Sequence, residues 1–207
     1  GYSMSRPVSD IAFSASVKAE QTRRGSRSQF ERMEQSGGWP SAVTGDLAAF
    51  LSTVRTAYIG TASADGQPYI QHRGGAPGFL KVIDEHTIGF ADLAGNRQYI
   101  TAGNLAENPR AFLFVMDYKR RIRIKLWGRA RIVDNDDDLL ARLRPSAGNV
   151  KAERSILFAV EAWDRNCSQH IPVLIPIDDI EDAMSAAHAR IAELESQLAR
   201  LHGASRD

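Results

Sequence analysis

The stretch Ala57-Tyr58-Ile59-Gly60-Thr61-Ala62-Ser63-Ala64-Asp65-Gly66-Gln67-Pro68-Tyr69-Ile70-Gln71-His72-Arg73 decides the fold class. Its β-branched and aromatic residues flank Ala64-Asp65-Gly66-Gln67, a turn with glycine where the backbone must reverse. It reads as a hairpin, 57–62 returning as 68–73. Similar composition recurs at 79–83, 87–91, 111–117, 121–133 and 156–162. Six or seven strands with short turns predict an antiparallel sheet closed into a barrel or folded into a sandwich.

Around the strands lie candidate helices. Thr44 or Asp46 can cap a short one carrying Leu47, Phe50, Leu51 and Val54 at helical spacing. A second runs from Asn96 to Asn108 through Tyr99, Ile100 and Leu105, and Asn108-Pro109 ends it. Residues 4–46, rich in Ser, Arg, Gln and Gly with weak periodicity at Val17, Phe30 and Met33, read as a helical arm lying on the body. Gly1-Tyr2-Ser3 ahead of Met4 reads as a tag remnant. At the other end Met184, Ala187, Ile191, Leu194, Leu198 and Leu201 alternate spacings of three and four, a heptad seam. The expected division is an arm at 4–46, a barrel at 47–176 and a coiled-coil-like helix at 177–207.

The 207 residues fit one ordinary domain plus a tail. Lys and Arg number 26 against 25 Asp and Glu, so a net +1 provides no field to steer nucleic acid or an anionic membrane. With 43% hydrophobic and 25% charged residues the chain can build a core. The single cysteine, Cys167, excludes an intrachain disulfide. Apolar runs fall far below the ~18 residues of a membrane span, and no signal-peptide core follows the N-terminus. The expected location is the cytoplasm.

Four constellations carry chemistry. In Gln71-His72-Arg73-Gly74 strand alternation sets Gln71 and Arg73 on one face and His72 on the other, so one ligand can meet an amide and a planar guanidinium fork. A solvated edge strand ending in a glycine turn reads equally well. Asn96-Arg97-Gln98, at the start of the expected helix, offers backbone N–H groups and a cation to an anion, with a plain cap as the alternative. If these two segments meet, Arg73 and Arg97 clamp one phosphate. The third, Ile122 to Arg131, alternates so that Arg123, Lys125, Trp127 and Arg129 share a face. Its single-strand-binding reading is outweighed by overall neutrality, which leaves a solvated outer barrel face with a cofactor-facing stretch. Asn166, Cys167, Gln169 and His170 form the fourth, in a compact polar loop starting at Asp164. A metal site wants three or four ligands, which this context does not supply, and an inert, partly buried thiol is commoner than a nucleophile. No metal is expected, and no catalytic residue is identified.

Together these segments resemble the FMN-binding split-barrel family related to pyridoxamine 5′-phosphate oxidase, in the bacterial branch with Gln-His-Arg-Gly-Gly and Asn-Cys-Xaa-Gln-His segments. The resemblance rests on Asp65 to Gly75, Pro77 to Val82, Gly95 to Gln98, Asn104 to Pro109, Lys125 to Ala130 and Asn166 to His170, in that order. It implies a mainly β fold with flanking helices: a six-stranded antiparallel split barrel forming a homodimer, with FMN at the subunit interface. Position by position it implies FMN contacts from Gln71, His72, Arg73, Gly74, Asn96, Arg97, Gln98, Lys125, Trp127, Gly128, Asn166, Cys167, Gln169 and His170. The family's Arg-Xaa-Val-Leu-Xaa-Lys strand and its C-terminal Arg-Leu-His-Asp-Arg segment are absent, which argues against vitamin B6 oxidation. The expected function is an FMN-dependent oxidoreductase passing hydride to or from a small substrate, with NAD(P)H as the reductant to try. The alternative is a flavin sensor or carrier without turnover.

Overall fold

A computed structural model describes residues 5–93, 95–144 and 151–205. The tag reading of Gly1-Tyr2-Ser3 lies outside them. After one 3₁₀ turn at Val8–Ile11 come α1 (Ala15–Arg24), α2 (Arg27–Gln35), α3 (Gly45–Leu51), β1 (Thr56–Ala62), β2 (Pro68–Gly74), β3 (Lys81–Asp84) and β4 (Thr87–Leu93). Then follow α4 (Ile100–Glu107), β5 (Arg110–Asp117), β6 (Ile122–Val133), α5 (Asp137–Leu143), β7 (Ala152–Asn166) and α6 (Ile177–Ala204). They fall into two compact units, Gly1–Asp117 with Ile122–Ser168, and Tyr118–Arg121 with Gln169–Asp207.

In the larger unit, among the described residues, seven strands form one open antiparallel sheet in the order β2-β1-β5-β6-β7-β4-β3. The opening hairpin pairs Ala57 with Arg73 as its sequence requires. Among the described residues the count exceeds the six strands expected from the family resemblance, and the four-residue β3 pairs only with β4 and forms an edge. Five strand-to-strand steps separate β2 from β4, ~24 Å on a flat sheet at ~4.8 Å per step. Nevertheless Arg73 of β2 forms an ion pair with Asp92 of β4. The sheet therefore curls until its two ends face each other across an apolar interior. Ile59, Ile88, Phe90, Leu113, Leu126, Ile156 and Phe158 fill that interior, none more than 1% exposed. Burying each such side chain contributes ~1.5–3 kcal/mol. Leu47, Phe50 and Leu51 of α3 join the same core. Of the two candidate caps it is Thr44 that starts α3, its hydroxyl accepting from the Leu47 N–H at 3.3 Å.

Several local readings are corrected. The helix expected from Asn96 begins only at Ile100, because Arg97 and Tyr99 sit in the left-handed region at φ 62° and 56°. The Asn96 side chain accepts from the Gln98 N–H at 3.2 Å, closing a turn of its own in competition with the helix. The loop expected from Asp164 begins at Cys167, since Asp164, Arg165 and Asn166 pair with Lys125, Ile124 and Arg123 in the β6–β7 ladder. Helix α5 has no counterpart in the sequence reading; the Asp136 carboxylate caps it by accepting from the Leu139 N–H at 3.0 Å.

The solvated outer face expected over 122–131 is instead roofed in its middle. Trp39, from the N-terminal arm, stacks on Trp127 with ring centroids 4.8 Å apart, and Phe13 meets Trp39 edge-on at 5.0 Å. The Trp163 Nε1–H donates to the Ala42 carbonyl at 2.7 Å and ties the end of the arm to β7. In the smaller unit Lys119 pairs with Asp179 at 2.6 Å, and Arg121 Nε donates to the Ile171 carbonyl at 3.1 Å. Among the described residues no helix is long and apolar enough to cross a membrane.

Candidate functional site

Where the curled sheet brings β2 opposite β4, charged side chains stand in phase with the apolar interior. Gln71 and Arg73 of β2 lie opposite Ile59 and Ala57 of β1, both fully buried. Asp92 continues the inward series Ile88 and Phe90 along β4, and Arg154 lies opposite it on β7. Asp92 joins two cations: Arg73 Nη1 donates to one carboxylate oxygen, and Arg154 Nε donates to the other at 2.9 Å. Arg73 Nη2 also donates to Gln71 Oε1 at 2.8 Å, and the Thr101 hydroxyl at the start of α4 donates to that same oxygen at 2.6 Å. The remaining donor of Arg73, its Nε, is buried and has no hydrogen-bond partner among the described residues.

These groups line an open cleft of about 190 Å³, continued by Asn96, Arg97, Gln98 and Tyr99 from the loop before α4. The Arg154 guanidinium lies over the Tyr99 ring, 5.1 Å from its centroid, and the Tyr99 hydroxyl approaches Glu153 at 3.4 Å. The lining holds three guanidiniums, Arg73, Arg97 and Arg154, against two carboxylates, Asp92 and Glu153. The cleft thus carries a surplus of positive charge, and the hairpin and pre-helix segments meet in it.

The other expected site residues lie elsewhere. His72 points to the outer face and packs edge-on against Tyr58, centroids 5.5 Å apart. On that same outer face the register runs His72, Tyr58, Phe114, Lys125, Asp164 across five strands. Trp127 and Asn166 share its parity. Lys125 and Asp164 are half-buried opposite each other. Burial lowers the Lys125 ammonium below its ordinary value, opposed by the Asp164 charge; burial raises the Asp164 carboxyl, opposed by Lys125. Beside them Arg123 Nε and Asn166 Oδ1 are buried without a partner among the described residues.

Both expected glycines have packing reasons of their own. A Cβ on Gly128, at the β6 register shift, would lie 1.9 Å from the Ala159 carbonyl oxygen, and one on Gly74 would lie 3.0 Å from the His72 ring. Cys167 is exposed, against the expectation of a partly buried thiol, because it follows the last paired residue of β7. Gln169 and His170 belong to the smaller unit, where both are exposed. Sequence reasoning missed Asp92 and Arg154. Their signal was a charge in phase with the apolar positions of a strand.

The class so defined is a mainly antiparallel β protein, an open curled sheet with flanking helices and a guanidinium-rich cleft between its facing ends. The chain belongs to the pyridoxamine 5′-phosphate oxidase family, whose model matches residues 43–166, more than half of the 207. A search of curated proteins finds no match. Among solved structures it is similar to HupZ of Group A Streptococcus, with 16% identity over 64% of this chain and 99% of that one, at a TM-score of 0.49. A second is an FMN-binding protein from Syntrophomonas wolfei, with 15% identity over 73% and 95% and a TM-score of 0.44. A third is an F420 reductase, with 20% identity over 56% and 94% and a TM-score of 0.39. At TM-scores below 0.5 these likenesses carry no argument, and the family rests on residues 43–166.

Proposed function

We propose that the protein is an FMN-binding flavoprotein, an oxidoreductase acting on a small substrate, and that it works as a homodimer. The observation that carries this reading is the cleft's surplus of guanidinium charge, with the Arg73 Nε left without a partner among the described residues. A phosphate dianion in a partly closed groove needs paired cationic donors; Arg73 and Arg97 fit that role, with the Asn96 and Gln98 amides beside them. Gly74 ends the strand that carries Arg73.

A cleft of about 190 Å³ is smaller than the ~300–1,000 Å³ of ligand-sized pockets, so it suits the phosphate end and not the flavin ring. His72, Lys125, Trp127 and Asn166 occupy the outer face of the sheet, whereas Gln71 and Arg73 face the cleft. A single flavin touching both sets therefore takes one set from each of two chains. The outer face supports this pairing: Ile70 is 69% exposed beside the half-buried Tyr58, Phe112 and Phe114, and Gly60 leaves a shallow floor between Ile70 and Phe112. Gly128 at the β6 bend and Cys167 after β7 complete the contact set proposed for the larger unit. Bound FMN would supply hydride transfer at N5, while the chain holds the phosphate and orients the ring.

A second reading, a flavin carrier or sensor without turnover, is favoured by the cleft's carboxylates. Asp92 is bridged by two guanidiniums and Glu153 lies beside the Tyr99 hydroxyl, so neither stands as a free base. Titration with FMN, followed by anaerobic addition of NADPH, tests both readings. Bleaching of the bound flavin followed by turnover with an acceptor supports the oxidoreductase; a bound flavin that NADPH and NADH leave oxidised supports the carrier. Arg73→Ala and Arg97→Ala should each weaken FMN binding about tenfold, the loss of ~1.4 kcal/mol of charge-assisted contact. Arg97 is exposed, so its variant leaves the fold intact. Unchanged affinity in both variants overturns the phosphate assignment.

A further inference from the structure

Helix α6 begins at Ile177 and so extends the apolar seam by one heptad beyond Met184. Ile177, Met184, Ile191 and Leu198 occupy a positions; Ile180, Ala187, Leu194 and Leu201 occupy d. None of the 28 described residues of α6 is buried, and Leu194, the least exposed of the large seam residues, retains 41% of its surface. A helix of ~42 Å with an open apolar stripe lacks the tertiary packing that gives most helices their stability.

The pattern narrows what can cover it. A helix lying on a globular surface has a broad stripe repeating at 3.6 residues. Here the repeat is a strict 3.5, which stays on one line only when two helices supercoil. The flanking e positions are Glu181, His188, Glu195 and His202, and the g positions are Ala183, Arg190, Gln197 and Ala204. No large apolar residue widens the seam. Ile191 at a with Leu194 at d is the combination that favours two parallel strands. In that arrangement Arg190 at g meets Glu195 at e of the facing helix, and symmetry makes the contact twice. The antiparallel arrangement centred near residue 189 sets Glu195 against Glu181 and Arg190 against Arg190 of the facing helix, both like-charge contacts. Arg190 now pairs with Glu193 of its own helix at 2.7 Å. Both side chains are more than half exposed, so that pair is worth little and is readily exchanged.

We infer that α6 docks onto α6 of a second copy of this chain as a parallel two-stranded coiled coil, with Ile191 and Leu194 at its centre. This does not rest on the flavin reading, and its test uses no flavin. In a full-length Cys167→Ser background, Leu198→Cys places a thiol at an a position and Ser196→Cys places one at the outward f position. Under mild oxidation at low micromolar concentration the Leu198→Cys chain should crosslink to a dimer at least tenfold faster than the Ser196→Cys chain. Adding Ile191→Asp should remove that advantage. Equal rates for the two cysteine variants overturn the proposal, as does a fast rate that Ile191→Asp leaves unchanged. An antiparallel pair centred near residue 189 would hold the two Leu198 positions ~27 Å apart and give no crosslink, which also overturns it. FMN affinity measured on the Ile191→Asp chain reports on the flavin reading separately.

Discussion

Replacing Asp92 by Asn separates the two roles of the cleft by the sign of their effects. Asn keeps the volume and one acceptor oxygen, so the change removes charge and little else. What remains is Arg73 and Arg154 facing each other without the anion that joined them, their side chains only 14% and 17% exposed. Removing one partner of a buried ion pair costs ~3–5 kcal/mol, and residual exposure places this case near the lower figure. At ~2–4 °C per kcal/mol for a chain of this size, the variant should melt ~10 °C below the parent in an anion-free buffer. The same change removes a carboxylate that repels phosphate and frees two guanidiniums, so FMN affinity should rise. Ligand at a hundredfold its Kd restores ~2.7 kcal/mol, most of the deficit. Thermal melts of parent and Asp92→Asn, each with and without saturating FMN, read both effects. A variant that melts within a degree or two of the parent refutes the claim that Asp92 closes the curled sheet. A variant that melts low and gains no more from FMN than the parent refutes the claim that these arginines face a phosphate.

Gly128→Ala forces a Cβ to within 1.9 Å of the Ala159 carbonyl, where no rotamer can relieve it; a loss of ~3 kcal/mol or more should appear as a urea midpoint shift, and an unshifted midpoint refutes the packing role. Cys167→Ser should leave any turnover unchanged, since the exposed thiol follows the end of β7; loss of turnover with flavin still bound would make it a reacting group. Because burial raises the Asp164 carboxyl above 3.8, the folded chain holds more protons than the unfolded chain from 3.8 up to its folded-state value, and stability falls as pH rises through that window. Asp164→Asn should lack that fall; parallel pH–stability profiles for parent and variant would refute the reading.

The strands were legible because the hairpin from Ala57 to Arg73 and its downstream counterparts alternate at period two, which a half-buried sheet imposes directly on composition. Thr44 as a cap and the end of α4 at Asn108-Pro109 were legible for the same local reason. The start of α4 was not, because helical spacing through Tyr99 and Ile100 carries no trace of the left-handed backbone at Arg97 and Tyr99, nor of an Asn96 side chain that turns on its own backbone. The reach of β7 to Asn166 was hidden by polar residues that pair with β6 through their backbones. At the site, Gln71, Arg73 and Arg97 were nominated from chemistry alone, but their common cleft depends on how far the sheet curls. That curl is a property of five strand pairings and is carried by no single segment.

Asp92 joins those two levels. Along β4 it breaks an inward series of Ile88 and Phe90, a costly choice unless the carboxylate is paired. Its partners come from β2 and β7, and among the described residues β2 is otherwise held to the sheet only through β1. The β6–β7 ladder, by contrast, runs from Arg123 to Val133 over a filled interior. Closure at the β2 edge is therefore electrostatic where closure elsewhere is apolar. An electrostatic seam is the place where an incoming anion can substitute for a protein carboxylate without disturbing the core. The same two arginines can then hold the sheet closed around Asp92 or, in part, around a phosphate, so stability and binding at this edge draw on one set of donors.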